Sequence, residues 1–412
     1  MPVDARIPDF HNGCHAPILA DVVREHLDEM TFLSIQRRKL LFSTDVPVSA
    51  LRRHDERIAA HMDGLVVGLP VSLELAWERV AGDDPWDVFA GVRIWLELGN
   101  PAPESVVEQM DRAEGEALPG WIEAFRRIPT ERLTALFPDG PAGTEAPRRL
   151  ALLVDAWGWH GLLSGTPLPE LSRNEDVSVR RALARALGWI HASGPVDAAL
   201  KTLVEDPVEE VRAAALWSEA LHRPSEAAAR ARSAIRAGAP HPFAVRVLGL
   251  LGVPEDVAPL SSLLGGGDHA PAAARALGDL GVPSSVDRLV DLLGGEKEEL
   301  AAAAADGLRT ILGDLPGAQN EWLPGELPPE EKTVDPETFR AWWAEAGKGF
   351  DGGKRYLRGK PFPWEGPPEL EPMEALWKTA IRSPGGFDDS LRREVPDGFF
   401  SARPESESRP GE

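Results

Sequence analysis

The chain has 412 residues, 43% of them hydrophobic, enough to bury a large core in two or three domains or in one elongated array. Its formal charge of −22, from 66 acidic and 44 basic residues, disfavours nucleic-acid phosphates and anionic lipid as direct partners. One cysteine, Cys14, excludes an internal disulfide framework, and no apolar run reaches membrane-spanning length.

Residue choice points to helices packed on helices. Ala and Leu are abundant, strand formers are thin, and there are 13 Trp but one Tyr, Tyr356. Residues 1–10 have no apolar core long enough for a signal peptide, so a soluble, reducing, cytoplasmic setting is expected.

In chain order, residues 1–16 read as a flexible lead-in. A first long helix is predicted from about Pro17 to near Leu41, with Leu19, Val22, Val23, Leu27, Met30, Leu33 and Leu40 as its apolar stripe. Asp45-Val46-Pro47 breaks it. A second helix carries Leu51, Ile58, Met62 and Leu65 on one face, and Gly68-Leu69-Pro70 turns the chain into a helix over 71–80. Asp84-Pro85 is a cap followed by a first-turn proline for a helix over 86–98, which Asn100-Pro101-Ala102-Pro103 ends. Helices over 104–113, 118–128 and 130–137 follow, and a linker over 138–147 closes an N-terminal helical region spanning 17–147.

From 148 to 313 the chain repeats. Val179-Arg180-Arg181-Ala182-Leu183 matches Val211-Arg212-Ala213-Ala214-Ala215, then Val245-Arg246-Val247-Leu248-Gly249, Ala274-Arg275-Ala276-Leu277-Gly278 and Asp306-Gly307-Leu308. Offsets of 29 to 34 residues, with a partner helix in each unit, mark an α-solenoid in which each pair hides its apolar face against the next. Frequent Pro breaks exclude a coiled coil. Beyond 313, residues 315–335 read as a long loop and 336–346 as a short helix with Trp342 and Trp343. Residues 347–368 read as an irregular wrap and 372–382 as a last helix, within a loop-rich extension over 314–400. The tail over 401–412 reads as disordered.

Negative charge is concentrated in two blocks. Residues 63–123 hold 13 Asp/Glu against 3 Lys/Arg, and 296–345 hold 12 against 4. Such charge either keeps a protein soluble or speeds association with a basic partner. Within the first block Asp83 and Asp87 cluster around a helix start, with Asp84 engaged in capping. Glu74 and Glu78 lie on the preceding helix, and Glu104, Glu108 and Asp111 share one face of the next. These seven, Asp84 aside, are the candidate partner-binding residues.

Catalytic and metal motifs fail on spacing. His54 and His61 are seven residues apart, where a zinc-protease helix needs two His one turn apart. His11, Cys14 and His15 would need further ligands from elsewhere to hold a metal. Asp155 and His160, five apart on one predicted helix, point away from each other and are not a dyad, and Trp157 and Trp159 beside them read as packing. Gly265-Gly266-Gly267 and Gly352-Gly353-Lys354-Arg355 lack the residues of a phosphate loop. No enzymatic activity, cofactor or metal is therefore expected.

Two stretches carry a resemblance. They are His54-Asp55-Glu56-Arg57-Ile58-Ala59-Ala60-His61-Met62-Asp63-Gly64-Leu65 and Trp342-Trp343 … Phe350 … Gly353-Lys354-Arg355-Tyr356-Leu357-Arg358-Gly359-Lys360-Pro361. Together they resemble a poorly characterised bacterial family of HEAT-repeat proteins, in order and spacing, from about 17 to 382. The central repeats are similar to the bilin-lyase-type HEAT group at the level of fold. The resemblance implies proximity to type VI secretion effector genes. It also implies a role as an immunity protein or as an adaptor that loads an effector; the two acidic blocks point to a basic toxin, such as a nuclease, as the protein that would be masked. It supplies no catalytic residues, and an enzyme of the bilin-lyase kind has only the fold in its favour.

Overall fold

The structure, a computed structural model, describes residues 20–41, 48–113, 115, 117–238, 240–265, 267–313, 315, 316 and 335–362. The lead-in over 1–16 with its His11, Cys14 and His15, the break at 45–47, most of the loop over 315–335, the helix over 372–382 and the tail from 401 lie outside the described residues. The chain separates into two compact units between Thr202 and Leu203, inside the repeating stretch.

The first unit holds α1 (Ala20–Leu41), α2 (Val48–Val67), α3 (Val71–Val80), α4 (Pro85–Leu98), α5 (Pro103–Arg112) and α6 (Ala117–Arg127). It continues through α7 (Thr130–Leu136), α8 (Pro147–Trp159), α9 (Leu168–Leu171) and α10 (Val177–Ala186), and α11 (Gly194–Leu203) ends at the division. Neighbours pair: α1 with α2, α3 with α4, α4 with α6, and α8 with α10. Local chemistry sets the starts. Asp84 accepts from the N–H groups of Trp86 and Asp87, both at 2.9 Å, with Pro85 in the first turn where no N–H is needed. The Trp-rich composition becomes a run of edge-to-face and tilted rings, Trp77–Trp95–Trp121–Phe125–Phe137–Trp157, with centroids 5.1 to 6.5 Å apart. One predicted core residue is displaced. Val22 is 44% exposed, because Val23, Leu27, Met30 and Leu33 already fill the buried stripe of α1.

The second unit holds α12 (Glu209–His222), α13 (Pro224–Arg236), α14 (Pro242–Leu251), α15 (Val257–Ser261), α16 (Ala270–Leu280), α17 (Val286–Val290), α18 (Glu298–Leu312) and α19 (Pro336–Ala346). A row α12–α14–α16–α18 is backed by α13, α15 and α17, so successive helices stack in pairs. This all-α, solenoid-like packing follows from small residues at a fixed phase. Gly249, Gly278 and Gly307 recur every 29 residues. A Cβ on Gly278 would lie 2.4 Å from Gly307 Cα, and one on Gly249 would lie 2.7 Å from Ala276 Cα. In the first unit Gly158 meets Ala186 in the same way, at 2.4 Å. Without side chains at these points, backbones approach more closely than ordinary helix packing allows.

Part of the predicted irregular wrap is instead a β-hairpin, β1 (Arg355–Leu357) with β2 (Lys360–Phe362), antiparallel with Arg355 opposite Phe362. It seats on helix ends. The N–H of Tyr356 donates to Gly281 O at 2.7 Å, and those of Arg358 and Gly359 donate to Thr310 O and Ile311 O at 2.8 Å. Carbonyls at the ends of α16 and α18, which have no partner within their own helices, are thereby satisfied.

Candidate functional site

The acidic block of the first unit is built by α3, α4, α5 and their connections. Leu73, Leu75, Ala76 and Val80 of α3 are buried, so Glu74 and Glu78, one turn apart, face out. Val106 and Met110 of α5 are buried, which leaves Glu104, Glu108 and Asp111 exposed as their spacing predicts. Asp83 is exposed in the turn between α3 and α4.

Ion pairing divides these residues. Arg79 takes Asp87 at 2.9 Å and also holds Asp28 and the Thr31 hydroxyl, tying α3 to α4 and α1. Glu108 accepts from Arg112 at 2.5 Å within α5, and Asp111 accepts from Arg149 at 2.5 Å, fastening α5 to α8. Arg93 pairs with Glu97 at 2.8 Å. All three basic residues of the block are therefore engaged by carboxylates. Among the described residues Glu74, Glu78, Asp83 and Glu104 have no ion pair, while Asp87, Glu108 and Asp111 are held by arginines. Of the second acidic block, positions 314 and 317–334, with five of its twelve acids, lie outside the described residues. Its Asp335 caps α19 by accepting from Thr338 N at 2.8 Å, and its Glu345 pairs with Lys348.

The motifs set aside on spacing occupy structural positions. Buried His54 bonds through Nε2 to the Leu33 carbonyl at 2.7 Å, while His61 meets His26, Nδ1 to Nδ1, at 3.1 Å across α1 and α2. Asp155 and His160 part company. The His160 ring bonds Thr130 and the Phe125 carbonyl, each at 2.9 Å. Asp155, 1% exposed, is clasped by Arg126 at 2.8 and 3.0 Å and by Arg185 at 2.5 Å. The Arg126 guanidinium also lies over Trp159 and Trp189, 5.3 and 4.8 Å from the ring centroids, so this carboxylate is consumed in holding α6, α8 and α10 together. Buried Glu219 of α12 is used similarly, by Arg230 at 3.0 Å. Both carboxylates are taken up in ties between helices.

The residues that sequence reasoning missed are in the second unit. His241 caps α14, its Nδ1 accepting from Phe243 N at 3.1 Å, and Asp256, buried before α15, is forked by Arg232 at 2.6 and 2.7 Å. Arg232 and Asp256 are 24 residues apart, and no local pattern announces the pair. Among the described residues no group of three His, Cys, Asp or Glu side chains converges as metal ligands would, and no single helix is long and apolar enough to cross a membrane. No family model matches the chain, and no curated protein matches it.

Proposed function

We propose that this chain is a non-catalytic, protein-binding solenoid that captures a basic protein on the acidic surface of its first unit. One observation carries the reading. Within residues 63–123 every arginine is already taken up by a carboxylate, and Glu74, Glu78, Asp83 and Glu104 remain exposed without an ion pair among the described residues. Such a surface holds a negative potential that its own cations do not cancel, and complementary charge steers encounter with a positive partner. The acid pairs that brace Asp155 and Glu219 give a second support, since those carboxylates serve packing and are not left to do chemistry.

The resemblance to the HEAT-repeat family of type VI secretion loci specifies the partner further. On that basis the captured protein is a secreted toxin, a basic nuclease being the best fit to a phosphate-like row of carboxylates, and the chain acts in the cytoplasm as an immunity-type inhibitor. Loading an effector as an adaptor uses the same surface without silencing the partner.

The test is a fourfold reversal, Glu74→Lys, Glu78→Lys, Asp83→Lys and Glu104→Lys, none of which breaks an ion pair. Native protein retains a basic partner from its own cell extract at low salt, identified by mass spectrometry, and the variant loses it while keeping its helix content. Retention of the same partner by the folded variant would remove the acidic surface from the mechanism. Co-expression then separates the two roles, because an inhibitor abolishes the partner's toxicity and an adaptor does not.

A further inference from the structure

The pairing of α1 with α2 brings together two imidazoles that stand 35 residues apart in the chain. His26 Nδ1 lies 3.1 Å from His61 Nδ1, and the rings meet edge to face with centroids 5.2 Å apart. Without a metal the pair shares one proton. One Nδ1–H donates and the other Nδ1 accepts, so the two rings are opposite tautomers. Both residues are only partly buried, which leaves the path from solvent that a metal site needs.

Gly64 prepares the contact. A Cβ there would lie 2.6 to 2.8 Å from Nε2, Cε1 and Cδ2 of His26, so the ring occupies the space that any other residue would fill. Gly64 is one turn beyond His61 on the same face of α2, and its bare backbone lets His26 lie against the helix beside His61.

Neutral imidazole nitrogen is also a ligand suited to Zn2+, Ni2+ and Cu2+. Two Zn–N bonds of about 2.05 Å whose nitrogens stand 3.1 Å apart enclose an angle of about 98°, between the square and the tetrahedral value. The ion then sits about 1.3 Å to one side of the line joining the nitrogens, reached by turning the rings about χ2, a soft torsion. Local charge favours a cation. Glu25 and Glu29 lie beside His26 and one turn beyond it, and Asp63 follows His61. None of the three is in an ion pair among the described residues, against a single unpaired cation, Arg57, one turn before His61.

We propose that His26 and His61 bind a divalent transition-metal ion, Zn2+, Ni2+ or Cu2+, through their Nδ1 atoms, with water in its remaining positions. The proton shared between the Nδ1 atoms moves to Nε2 of its own ring, and the ion takes its place as the tie between α1 and α2. Two protein ligands are fewer than the four of a closed structural zinc site, so this one fills as metal rises and empties as it falls.

The experiment is calorimetric titration of the metal-stripped full chain with Zn2+ and with Ni2+. Mg2+, which prefers oxygen ligands, is the control for loose attraction to a chain of −22. Saturable binding of one ion per chain is expected for Zn2+ and Ni2+ and not for Mg2+. His61→Gln is expected to weaken it about tenfold or more. Gly64→Ala removes no ligand but pushes the His26 ring aside, and it should weaken binding as well. Undiminished affinity in folded His61→Gln overturns the site and assigns the metal to other side chains, with His11, Cys14 and His15 first among them. Native protein that binds neither ion saturably overturns it too. Should His61→Gln not fold, modification of the native protein by diethyl pyrocarbonate decides, read by peptide mass spectrometry. Saturating Zn2+ is expected to protect His26 and His61, and equal modification of both with and without Zn2+ overturns the site.

Discussion

At the scale of single residues, a capping imidazole carries the clearest pH dependence. His241 Nδ1 accepts the Phe243 N–H at the start of α14, which only the ring without a proton on that nitrogen can do. Burial lowers its pKa from about 6.5; Glu209 and Glu210 pull it back up, while Arg212 and His269 push it down. A histidine depressed in the fold gives a contribution present above the unfolded value and lost as pH falls below about 6.5, where the unfolded chain takes up the proton first. His241→Asn keeps a capping acceptor that cannot titrate. Denaturant unfolding at pH 7.5 and pH 5.5 is expected to show a smaller loss of stability in the variant than in the native chain, and equal losses would remove His241 from the effect. What could be read at this scale depended on separation along the chain. Asp84 before Pro85 was legible as a cap, and Glu108 with Arg112 has the i, i+4 spacing of a helical ion pair. Asp111 gives no such sign, because Arg149 lies 38 residues away on α8.

At the scale of elements, the row of the second unit depends on glycines that admit a neighbouring backbone. A methyl group on Gly278 would stand 2.4 Å from Gly307 Cα and 2.8 Å from its carbonyl oxygen, positions that only a shift of α16 against α18 can relieve. Gly278→Ala is therefore expected to destabilise by about 1–3 kcal/mol, although alanine is the better helix former. Gly265→Ala, with nothing within 4 Å of its Cβ, is the control and should change little. Chemical denaturation reads both, and a neutral Gly278→Ala would mean that the helices separate more readily than their packing indicates. The repeat phase that positions these glycines was visible in the sequence, since Leu248, Leu277 and Leu308 recur with the same small neighbours. The hairpin was not. Its strands are three residues each, too short for an alternating pattern, and its turn places Arg358 and Gly359 at φ of +53° and +75°. A sequence search for that turn looks for Asn-Gly or Asp-Gly. Here an arginine accepts the left-handed conformation while its N–H, like that of Gly359, bonds to the end of α18.

At the scale of the whole molecule, the excess of carboxylates sets how stability responds to salt. Most arginines of the described residues are engaged in ion pairs, and exposed pairs are each worth little and weaken modestly as salt rises. The uncompensated charge acts in the opposite direction, because repulsion spread over a surface of −22 opposes the compact state and is relieved by screening. With the strongest pairs, those of Asp155, Glu219 and Asp256, buried and only weakly screened, relief of repulsion is the larger effect. The melting temperature of the native chain is therefore expected to rise between about 20 and 150 mM sodium chloride, over which the screening length contracts to roughly 8 Å. The fourfold Lys variant of Glu74, Glu78, Asp83 and Glu104 brings the formal charge from −22 to −14, each change adding two. Its melting temperature should start higher at low salt and climb less. This measurement needs no partner, so it tests the charge map independently of the binding assay. A native melting temperature that falls with salt would mean that attractive pairs outweigh repulsion, and a variant with an unchanged slope would mean that these four carboxylates contribute no concentrated field with which to attract a basic protein.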